Sequence, residues 1–357
     1  MDLPPAIHGH AESPPRTTLF EAQGVSPTGL VDPYGRRVTY LRLSVTDRCD
    51  LRCTYCMPER MTFLPKEDVL SFEELDEIAS AFISRGVTKL RITGGEPLVR
   101  KDILDLINAL SRHLKSGALT ELTLTTNGTL LARHAQALWD AGMRRINVSI
   151  DSLDPETYRR VTRGGDIEKV LAGIRAAQAV GLKIKLNCVA LKQDNAEQIP
   201  VIMEWSHGQG IDLTLIEAMP MGDSGQDRFD QYIPLTQIKA ELETRFALTR
   251  SDHKTGGPAQ YFDVAQTGGR VGFITPLSHK FCESCNRVRL TCTGKLFMCL
   301  GQDDESDLRA VLRGQRDVTL DEAMDKAIGR KPEAHDFKIE NPGDAPSVSR
   351  HMSVTGG

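Results

Sequence analysis

The sequence predicts an α/β fold, an open, partial (βα)6 TIM-type barrel followed by a smaller, cysteine-bearing C-terminal appendage. Short apolar strands alternate with helical segments from residue 38 to about residue 219, which is typical of a parallel sheet with crossover helices. The alternation ends after six repeats, two fewer than a closed barrel needs. Beyond Gly222 the pattern changes to glycine-punctuated strands that carry a new group of cysteines.

Each repeat has recognisable boundaries. Ser71 and Glu74 form a capping box that begins the first helix, and Gly181 ends the fourth. The predicted strands are 38–45, 89–93, 121–126, 145–150, 183–190 and 213–219. The predicted helices are 71–86, 102–115, from the Asn127-Gly128 turn to 142, 166–180, 195–207 and, past the barrel, 234–246.

These elements divide the chain into four regions. Residues 1–29 are rich in Pro, Ser and Gly and predict a flexible extension. Residues 30–222 form the partial barrel, and residues 223–340 form the C-terminal region with the second group of cysteines. Residues 341–357 form a tail that ends in Gly-Gly.

Composition restricts the function classes. The 357 residues, 40% hydrophobic and 26% charged, are those of an ordinary globular protein. A net charge of −4 argues against bulk binding to nucleic acid, so an anionic ligand would need a local cationic cluster. The chain has no apolar run of about 18 residues and no secretory signal, so neither a membrane span nor secretion is expected. The eight cysteines are clustered with metal-type spacings, which indicates a reducing compartment, the cytoplasm.

The first cysteine group, Cys49, Cys53 and Cys56, has the spacing C-x3-C-x2-C and directly follows the first predicted strand. Catalytic groups of such folds gather at the carboxyl ends of the strands. Three thiolates can hold a 4Fe–4S cluster and leave one iron open for a ligand. Part of a zinc site, or plain core cysteines, are the alternatives. Cys188, alone within a strand, is interpreted as a core residue.

The second group has the spacing C-x2-C-x6-C-x6-C and consists of Cys282, Cys285, Cys292 and Cys299. Four cysteines in this order could form a closed zinc knuckle. Arg287 and Arg289 lie directly after Cys285, within this group, and strand alternation places both on one face. Guanidinium groups bind phosphate oxygens in a bidentate manner, so this pair favours a phosphate ligand.

Two motifs carry a resemblance to a known superfamily. The first cysteine triplet, with Tyr55 before its last cysteine, resembles the signature of the radical S-adenosylmethionine (SAM) superfamily. The segment 93–97, Thr-Gly-Gly-Glu-Pro, is similar to the superfamily's GGEP motif, whose backbone holds the methionyl amine of SAM. The resemblance implies that SAM chelates the open iron of a 4Fe–4S cluster. It also implies a partial barrel, in agreement with the six repeats.

The C-x2-C-x13-C spacing after the barrel resembles the GTP 3′,8-cyclase family of molybdenum-cofactor biosynthesis. This resemblance implies a second 4Fe–4S cluster on Cys282, Cys285 and Cys299, with its free iron facing the substrate base and Cys292 outside the ligand set. The implied GTP contacts are Arg42, Arg91, Thr125, Lys185, Arg287 and Arg289. The implied SAM contacts are Tyr55, Gly95, Ser149 and Met219.

The family resemblance also implies catalytic roles for two arginines and the last two residues, and it marks one position where this chain differs from some members. Arg287, Arg289 and the terminal Gly356 and Gly357 would be catalytic, with the tail entering the active site. Thr214 stands where some family members carry arginine, so one cationic contact is expected to be missing or replaced.

The implied reaction splits SAM into methionine and a 5′-deoxyadenosyl radical, which removes hydrogen from C3′ of GTP. In that reaction the C3′ radical attacks C8 and the adduct is reduced, so the resemblance implies an enzyme of the carbon–carbon lyase class. The implied partners are GTP, an external electron donor, a second copy of the chain as a homodimer, and functionally the downstream cyclic pyranopterin monophosphate synthase. A radical SAM peptide-modifying maturase and a zinc-binding interaction protein are the alternative readings.

Overall fold

The structure, a computed structural model, describes residues 29–224, 228–279, 281–339, 341 and 345–356. The predicted extension 1–29 therefore lies, except for Gly29, outside the described residues. The strands are β1 (Tyr40–Ser44), β2 (Lys89–Thr93), β3 (Glu121–Thr126), β4 (Arg145–Ser149), β5 (Lys183–Ala190), β6 (Asp212–Glu217), β7 (Leu248–Arg250), β8 (Gln260–Val264), β9 (Arg270–Ile274), β10 (Arg287–Leu290), β11 (Lys295–Phe297) and β12 (Glu305–Asp307).

The helices in the described residues are α1 (Phe72–Ser84), α2 (Ile103–Lys115), α3 (Leu131–Asp140), α4 (Pro155–Thr162), α5 (Ile167–Ala179), α6 (Ile199–Gly208), α7 (Arg228–Gln231), α8 (Leu235–Glu243), α9 (Leu308–Leu312), α10 (Leu320–Ile328) and α11 (Met352–Thr355). Six of these helices follow the predicted order, and five more, α4, α7, α9, α10 and α11, were not predicted. The capping box of Ser71 and Glu74 is confirmed at the start of α1. Helix α4 was not predicted, although Asp154 caps it by accepting a hydrogen bond from Thr157 N at 2.8 Å and Pro155 begins it.

All strands of the described residues belong to one sheet, in the order β12-β11-β10-β1-β2-β3-β4-β5-β6-β9-β8-β7. The stretch from β10 to β9 is parallel, and the two outer pairs at each edge are antiparallel. The parallel part is open, because β9 and β10 pair with opposite edges of the six repeats and not with each other. The predicted open, partial α/β barrel is confirmed.

The C-terminal region extends the sheet at both of its edges. Strand β9 extends the sheet beside β6, and strand β10 extends it beside β1. The connection between them, described at residues 275–279 and 281–286, therefore bridges the open side of the barrel and carries Cys282 and Cys285.

The barrel is apolar outside and polar inside. In β1 all five residues are buried, yet alternation divides them between two environments. Leu41 and Leu43 belong to the hydrophobic core between the sheet and its helices, whereas Tyr40 and Arg42 line a cavity inside the barrel. Residues in the same register on neighbouring strands repeat this division, so the barrel interior can hold a polar ligand. No described helix has both the length and the apolar character needed to span a bilayer.

Candidate active site

Two adjoining cavities occupy the barrel. The first cavity is lined by Cys49, Cys53 and Cys56. The second cavity is lined by Cys282, Cys285 and Cys299. The residues that line both are Asn187, Ile216, Met219 and Met352. The two predicted cysteine triplets thus face spaces that share a boundary, so ligands bound beside them would be neighbours.

The first triplet lies on the loop that leaves β1, as predicted. The loop is fixed to the end of α4, where Thr162 O and Val161 O accept hydrogen bonds from the N–H groups of Arg52 and Thr54 at 3.0 and 2.9 Å. Burial raises the pKa of the Cys49 thiol to about 12, despite a hydrogen bond from Leu51 N. A thiol that is hard to ionise by itself needs a bound cationic centre to become a thiolate ligand, so the donor set fits an iron–sulfur cluster.

The thiols of a triplet are not gathered around one point. No group of three or more Cys, His, Asp or Glu side chains in the described ranges is arranged to hold a single metal ion. Each triplet lines the wall of a larger cavity instead.

The Gly-Gly-Glu-Pro segment joins two strand ends at the first cavity. A Cβ atom at Gly95 would lie 2.4 Å from the carbonyl oxygen of Arg48, so only glycine permits this approach of the two backbones. The buried carboxylate of Glu96 accepts hydrogen bonds from Thr126 Oγ1 at 2.8 Å and Asn127 N at 2.6 Å. Glu96 therefore fixes the end of β2 to the end of β3, and burial raises its pKa to about 7.

The other residues predicted near SAM also line the first cavity. Tyr55 donates a hydrogen bond to Asp151 Oδ2 at 2.8 Å, and Ser149 lies at the end of β4. Met219 stands at the boundary with the second cavity. Asp151 was not predicted; its position just after a strand end, next to Ser149, is the sequence signal that could have identified it.

A row of arginines crosses the floor of the second cavity. Arg42 on β1 is in register with Arg289 on β10 and with Arg91 on β2. Neighbouring strands are about 4.8 Å apart, so the three side chains leave the sheet side by side. Each is less than a tenth exposed, and within the described residues neither Arg91 nor Arg289 forms an ion pair with a carboxylate. We call Arg289, Arg42 and Arg91 the arginine row.

The charges of the second cavity repel one another. Burial lowers the pKa of Arg42, and the neighbouring cations Arg289 and Arg91 lower it further. Burial, together with Arg287, lowers the pKa of Arg289 to about 9. Burial, then Arg91 and Arg145, lowers the pKa of Lys185 to about 7. Such a concentration of buried like charge favours a polyanionic ligand, whose binding would relieve the repulsion.

Two predicted contacts have unexpected surroundings. Thr125 lines the first cavity rather than the second, and its hydroxyl accepts a hydrogen bond from Arg91 Nη1 at 3.3 Å. Thr214, in place of an arginine, is buried with its Oγ1 3.3 Å from the Tyr261 hydroxyl. The Tyr261 ring in turn lies 5.1 Å from Lys185 Nζ, a cation–π contact.

The second triplet is surrounded by cations and aromatic rings. Arg36 Nη1 donates to Cys282 O at 2.8 Å, Arg350 Nη2 donates to Cys299 O at 3.3 Å, and Lys331 Nζ lies 3.6 Å from Cys285 Sγ. Burial would raise the pKa of Cys285, but Lys331 and Arg287 lower it on balance. The aromatic and apolar residues that line the cavity beside the triplet are Phe281, Met298, Leu300, His335 and Phe337.

Cys292 lies apart from this triplet. It is fully buried, does not line the second cavity, and its carbonyl oxygen accepts a hydrogen bond from Leu70 N at 2.8 Å. Cys188 on β5 is fully buried in the hydrophobic core.

The C-terminal tail enters the barrel. Met352 on α11 lines both cavities, and Gly356 O accepts a hydrogen bond from Arg289 Nη1 at 2.7 Å. Gly356 has φ +75°, and a Cβ atom there would overlap Thr93 Oγ1 at 1.9 Å, so this position requires glycine. The predicted catalytic Gly357 lies outside the described residues.

Several residues of the site were not predicted. Asn147 and Asn187 line the second cavity from strands β4 and β5. Arg36, Lys331 and Arg350 contact the second cysteine triplet from other parts of the chain. Inward alternation on β4 and β5 could have identified the two asparagines. No local sequence pattern identifies the three cations, because the cysteines that they contact are distant from them in the sequence.

Comparison with known proteins agrees with this arrangement. Residues 43–206 match the radical SAM superfamily, and residues 211–337 match the family described as Molybdenum Cofactor Synthesis C. A Brucella canis protein named GTP 3′,8-cyclase is 62% identical over 335 residues, which cover 93% of this chain and 97% of that protein. Its Agrobacterium fabrum counterpart is 61% identical over 329 residues, 92% of this chain and 94% of that protein.

Solved structures share the fold at low identity. The crystal structure of Streptococcus suis SuiB bound to S-adenosylmethionine has a TM-score of 0.58 and 17% identity, covering 81% of this chain and 66% of that chain. SuiB bound to the precursor peptide SuiA has a TM-score of 0.60 and 15% identity, covering 83% and 67%. This likeness concerns the fold alone.

Inorganic tripolyphosphate is expected to stabilise the cluster-free chain, because it matches the arginine row in charge. At about 100-fold above its Kd, a ligand that binds only the folded chain stabilises it by about 2.7 kcal/mol, seen as a higher thermal unfolding temperature. Arg289→Met should weaken this binding at least roughly tenfold, since charge-assisted hydrogen bonds contribute about 1.5–3 kcal/mol. The control, Arg133→Met on the exposed face of α3, should leave it unchanged. Equal stabilisation of the two variants would contradict the assignment.

Proposed function

The chain belongs to the GTP 3′,8-cyclase family of the radical SAM superfamily, and we propose that it converts GTP to (8S)-3′,8-cyclo-7,8-dihydroguanosine 5′-triphosphate in molybdenum-cofactor biosynthesis. One observation carries the proposal beyond the family match. The arginine row lies on the floor of a cavity that has one cysteine triplet on its wall and adjoins the cavity of the other. A triphosphate on the row would place the attached nucleoside between the two triplets.

As a radical SAM protein, the chain uses SAM and an iron–sulfur cluster. The residues that best fit this cluster are Cys49, Cys53 and Cys56. The residues that would surround SAM are Tyr55, Gly95, Ser149 and Met219. When bound, SAM and the cluster supply the radical chemistry that removes hydrogen from substrate. The chain's part is to hold SAM and GTP close together and away from water, which lowers the entropic cost of their reaction.

The phosphates of GTP are bound by the arginine row together with Arg287 and Lys185. Guanidinium forks can bind several phosphate oxygens at once, so the row fixes the position of the triphosphate along the sheet. A fixed triphosphate in turn fixes the ribose at the boundary with the first cavity. Thr125 supports Arg91 from the SAM side through its hydroxyl.

The guanine base is bound at the other wall of the second cavity. Phe281 and Phe337 present rings and apolar surface on which a purine can stack. We propose that Cys282, Cys285 and Cys299 beside them hold a second 4Fe–4S cluster whose open iron faces the base. Three half-buried cysteines that line one cavity, with a cation beside each, support this cluster.

The tail positions the catalytic arginines. Gly356 O accepts a hydrogen bond from Arg289 and thereby orients one guanidinium group of the row. Gly357 follows directly in the sequence, and we propose a catalytic role for it, as the family resemblance implies. The predicted roles of both glycines depend on this entry of the tail into the barrel.

Further elements of the proposal come from the family. An external one-electron donor reduces the first cluster, and the product passes to a cyclic pyranopterin monophosphate synthase. The chain acts as a homodimer in the cytoplasm, without nucleic acid or membrane. The sequence and the family support these statements, and each remains a prediction.

Anaerobic turnover tests the function directly. The reconstituted protein with SAM, dithionite and GTP should yield 5′-deoxyadenosine and the cyclised nucleotide in equal amounts, measured by mass spectrometry. Arg91→Met should reduce kcat/KM at least roughly tenfold, because it removes a charged phosphate contact, whereas Arg133→Met should not. Formation of 5′-deoxyadenosine without a cyclised nucleotide would exclude the cyclase reaction and favour the maturase alternative.

Iron analysis tests the ligand sets. Cys299→Ala should lose about half of the iron, because a cluster held by three thiolates loses one of them. Cys292→Ala is the matched control and should keep all the iron, since Cys292 is fully buried away from the cavity. Equal iron loss in the two variants, or zinc in place of iron, would refute the proposed second cluster.

GTP binding is expected to take up a proton at Lys185 above pH 7. Its pKa of about 7 in the free protein leaves the amine neutral at higher pH, and a bound triphosphate favours the charged form. The charged and polar groups facing it are Arg91, Glu121, Arg145, Asp212 and Tyr261. The affinity of wild-type protein should therefore fall as pH rises above 7, by up to about tenfold per pH unit.

Titration calorimetry at pH 8.5, in two buffers of different ionisation enthalpy, measures this uptake. Lys185→Arg remains charged at all these pH values and should bind GTP without the additional proton. The same proton uptake in both proteins would show that Lys185 does not titrate with binding.

A further inference from the structure

Lys331 is a buried cation that the proposed reaction has not used. It follows α10, and only 2% of its surface is exposed. Its Nζ donates three hydrogen bonds, to Met298 O at 2.6 Å, Arg287 O at 3.1 Å and Cys285 Sγ at 3.6 Å. All three hydrogens of the ammonium group are thus directed at the second cysteine triplet and its adjacent backbone.

The other two cations of this triplet have carboxylate partners. Arg36 is paired with Asp32 at 2.6 Å, and Arg350 is paired with Asp303 at 2.5 Å. Lys331 forms no ion pair with a carboxylate anywhere in the described parts of the chain. A buried cation without an anion is strongly destabilising. The sulfur of Cys285 is the one atom among its hydrogen-bond partners that can carry negative charge.

We propose that Lys331 is a positioning residue whose positive charge balances the negative charge of the second cluster and thereby raises that cluster's reduction potential. This inference rests on the proposed second 4Fe–4S cluster. Three thiolates give the centre a net negative charge, and one electron taken from an external donor makes it more negative. A cation hydrogen-bonded to a ligand sulfur stabilises the reduced state more than the oxidised state, as hydrogen bonds and charge at cluster sulfurs do generally.

The same nitrogen also fixes the two chain segments that carry the cysteines relative to each other. Met298 directly precedes Cys299, and Arg287 follows Cys285 by two residues. By bonding to both carbonyl groups, Lys331 holds together the two chain segments that supply the triplet. Its contact with the backbone of Arg287 also connects the cluster site to an arginine of the phosphate site.

The test uses the full-length chain with Cys49, Cys53 and Cys56 replaced by serine, so that only the second cluster contributes a signal. Iron content and a potentiometric titration with dithionite, followed by electron paramagnetic resonance, are measured anaerobically. Lys331→Met removes the charge, Lys331→Gln removes the charge but keeps a hydrogen-bond donor, and Lys331→Arg keeps the charge. Lys326→Met, at an exposed position of α10, is the matched control.

We expect Lys331→Met and Lys331→Gln to lower the equilibrium constant for reduction at least tenfold, which corresponds to about 59 mV for one electron. In Lys331→Arg and Lys326→Met the second cluster should be reduced at the same potential as in the parent protein. Loss of iron in the Met and Gln variants, with full iron in the Arg variant, would also support a requirement for charge.

Three results would overturn the inference. The second cluster could have the parent reduction potential in the Met and Gln variants. Alternatively, its potential could shift in the Arg variant as far as in the Met variant. Loss of iron in all three Lys331 variants would show a requirement for shape rather than charge. If the parent triple-serine chain itself holds no iron, the proposed second cluster fails first, and the role of Lys331 fails with it; this result is distinct from a cluster with an unchanged potential.

Discussion

Electrostatic repulsion within the arginine row is the constraint on which the rest of the site depends. Arg289, Arg42 and Arg91 leave adjacent parallel strands in register and are buried. Strand pairing fixes their spacing, so they cannot move apart without breaking the sheet. The buried like charges raise the free energy of the empty barrel interior, and a bound polyanion would lower it. The large apolar core between the sheet and its helices compensates for that cost.

The open barrel makes a two-sided cavity possible. Six repeats leave a gap, and the connection from β9 to β10 bridges it with Cys282 and Cys285. One wall of the cavity system therefore comes from the loop after β1 and the opposite wall from the C-terminal region. A closed barrel of eight repeats would fill its interior with packed side chains and leave no such space. The tail then enters from the same C-terminal region and contacts Arg289.

The charged groups near the two triplets differ in sign. The first triplet lies near the buried carboxylates Glu96 and Asp151, and burial raises the pKa of Cys49, Cys53 and both of these acids. The second triplet has a cation beside each cysteine, from Arg36, Lys331 and Arg350. Two identical clusters in these sites would differ in reduction potential, because the local charge differs in sign.

The sequence alone determined the repeats, the two cysteine triplets and the arginines, because strand alternation, helix caps and ligand spacing are local patterns. The residues proposed to contact SAM and GTP were predicted from motif resemblance, and the structure brings Tyr55, Gly95, Arg91 and Lys185 to the two cavities. Only the tertiary structure decided that β10 pairs with β1, which places Arg289 beside Arg42, and that Tyr261 fills the place next to Thr214. It alone placed Lys331 on Cys285, 46 residues away, and buried Cys292 apart from the cavity. These contacts join segments far apart along the chain, and no local periodicity records which distant strands become neighbours.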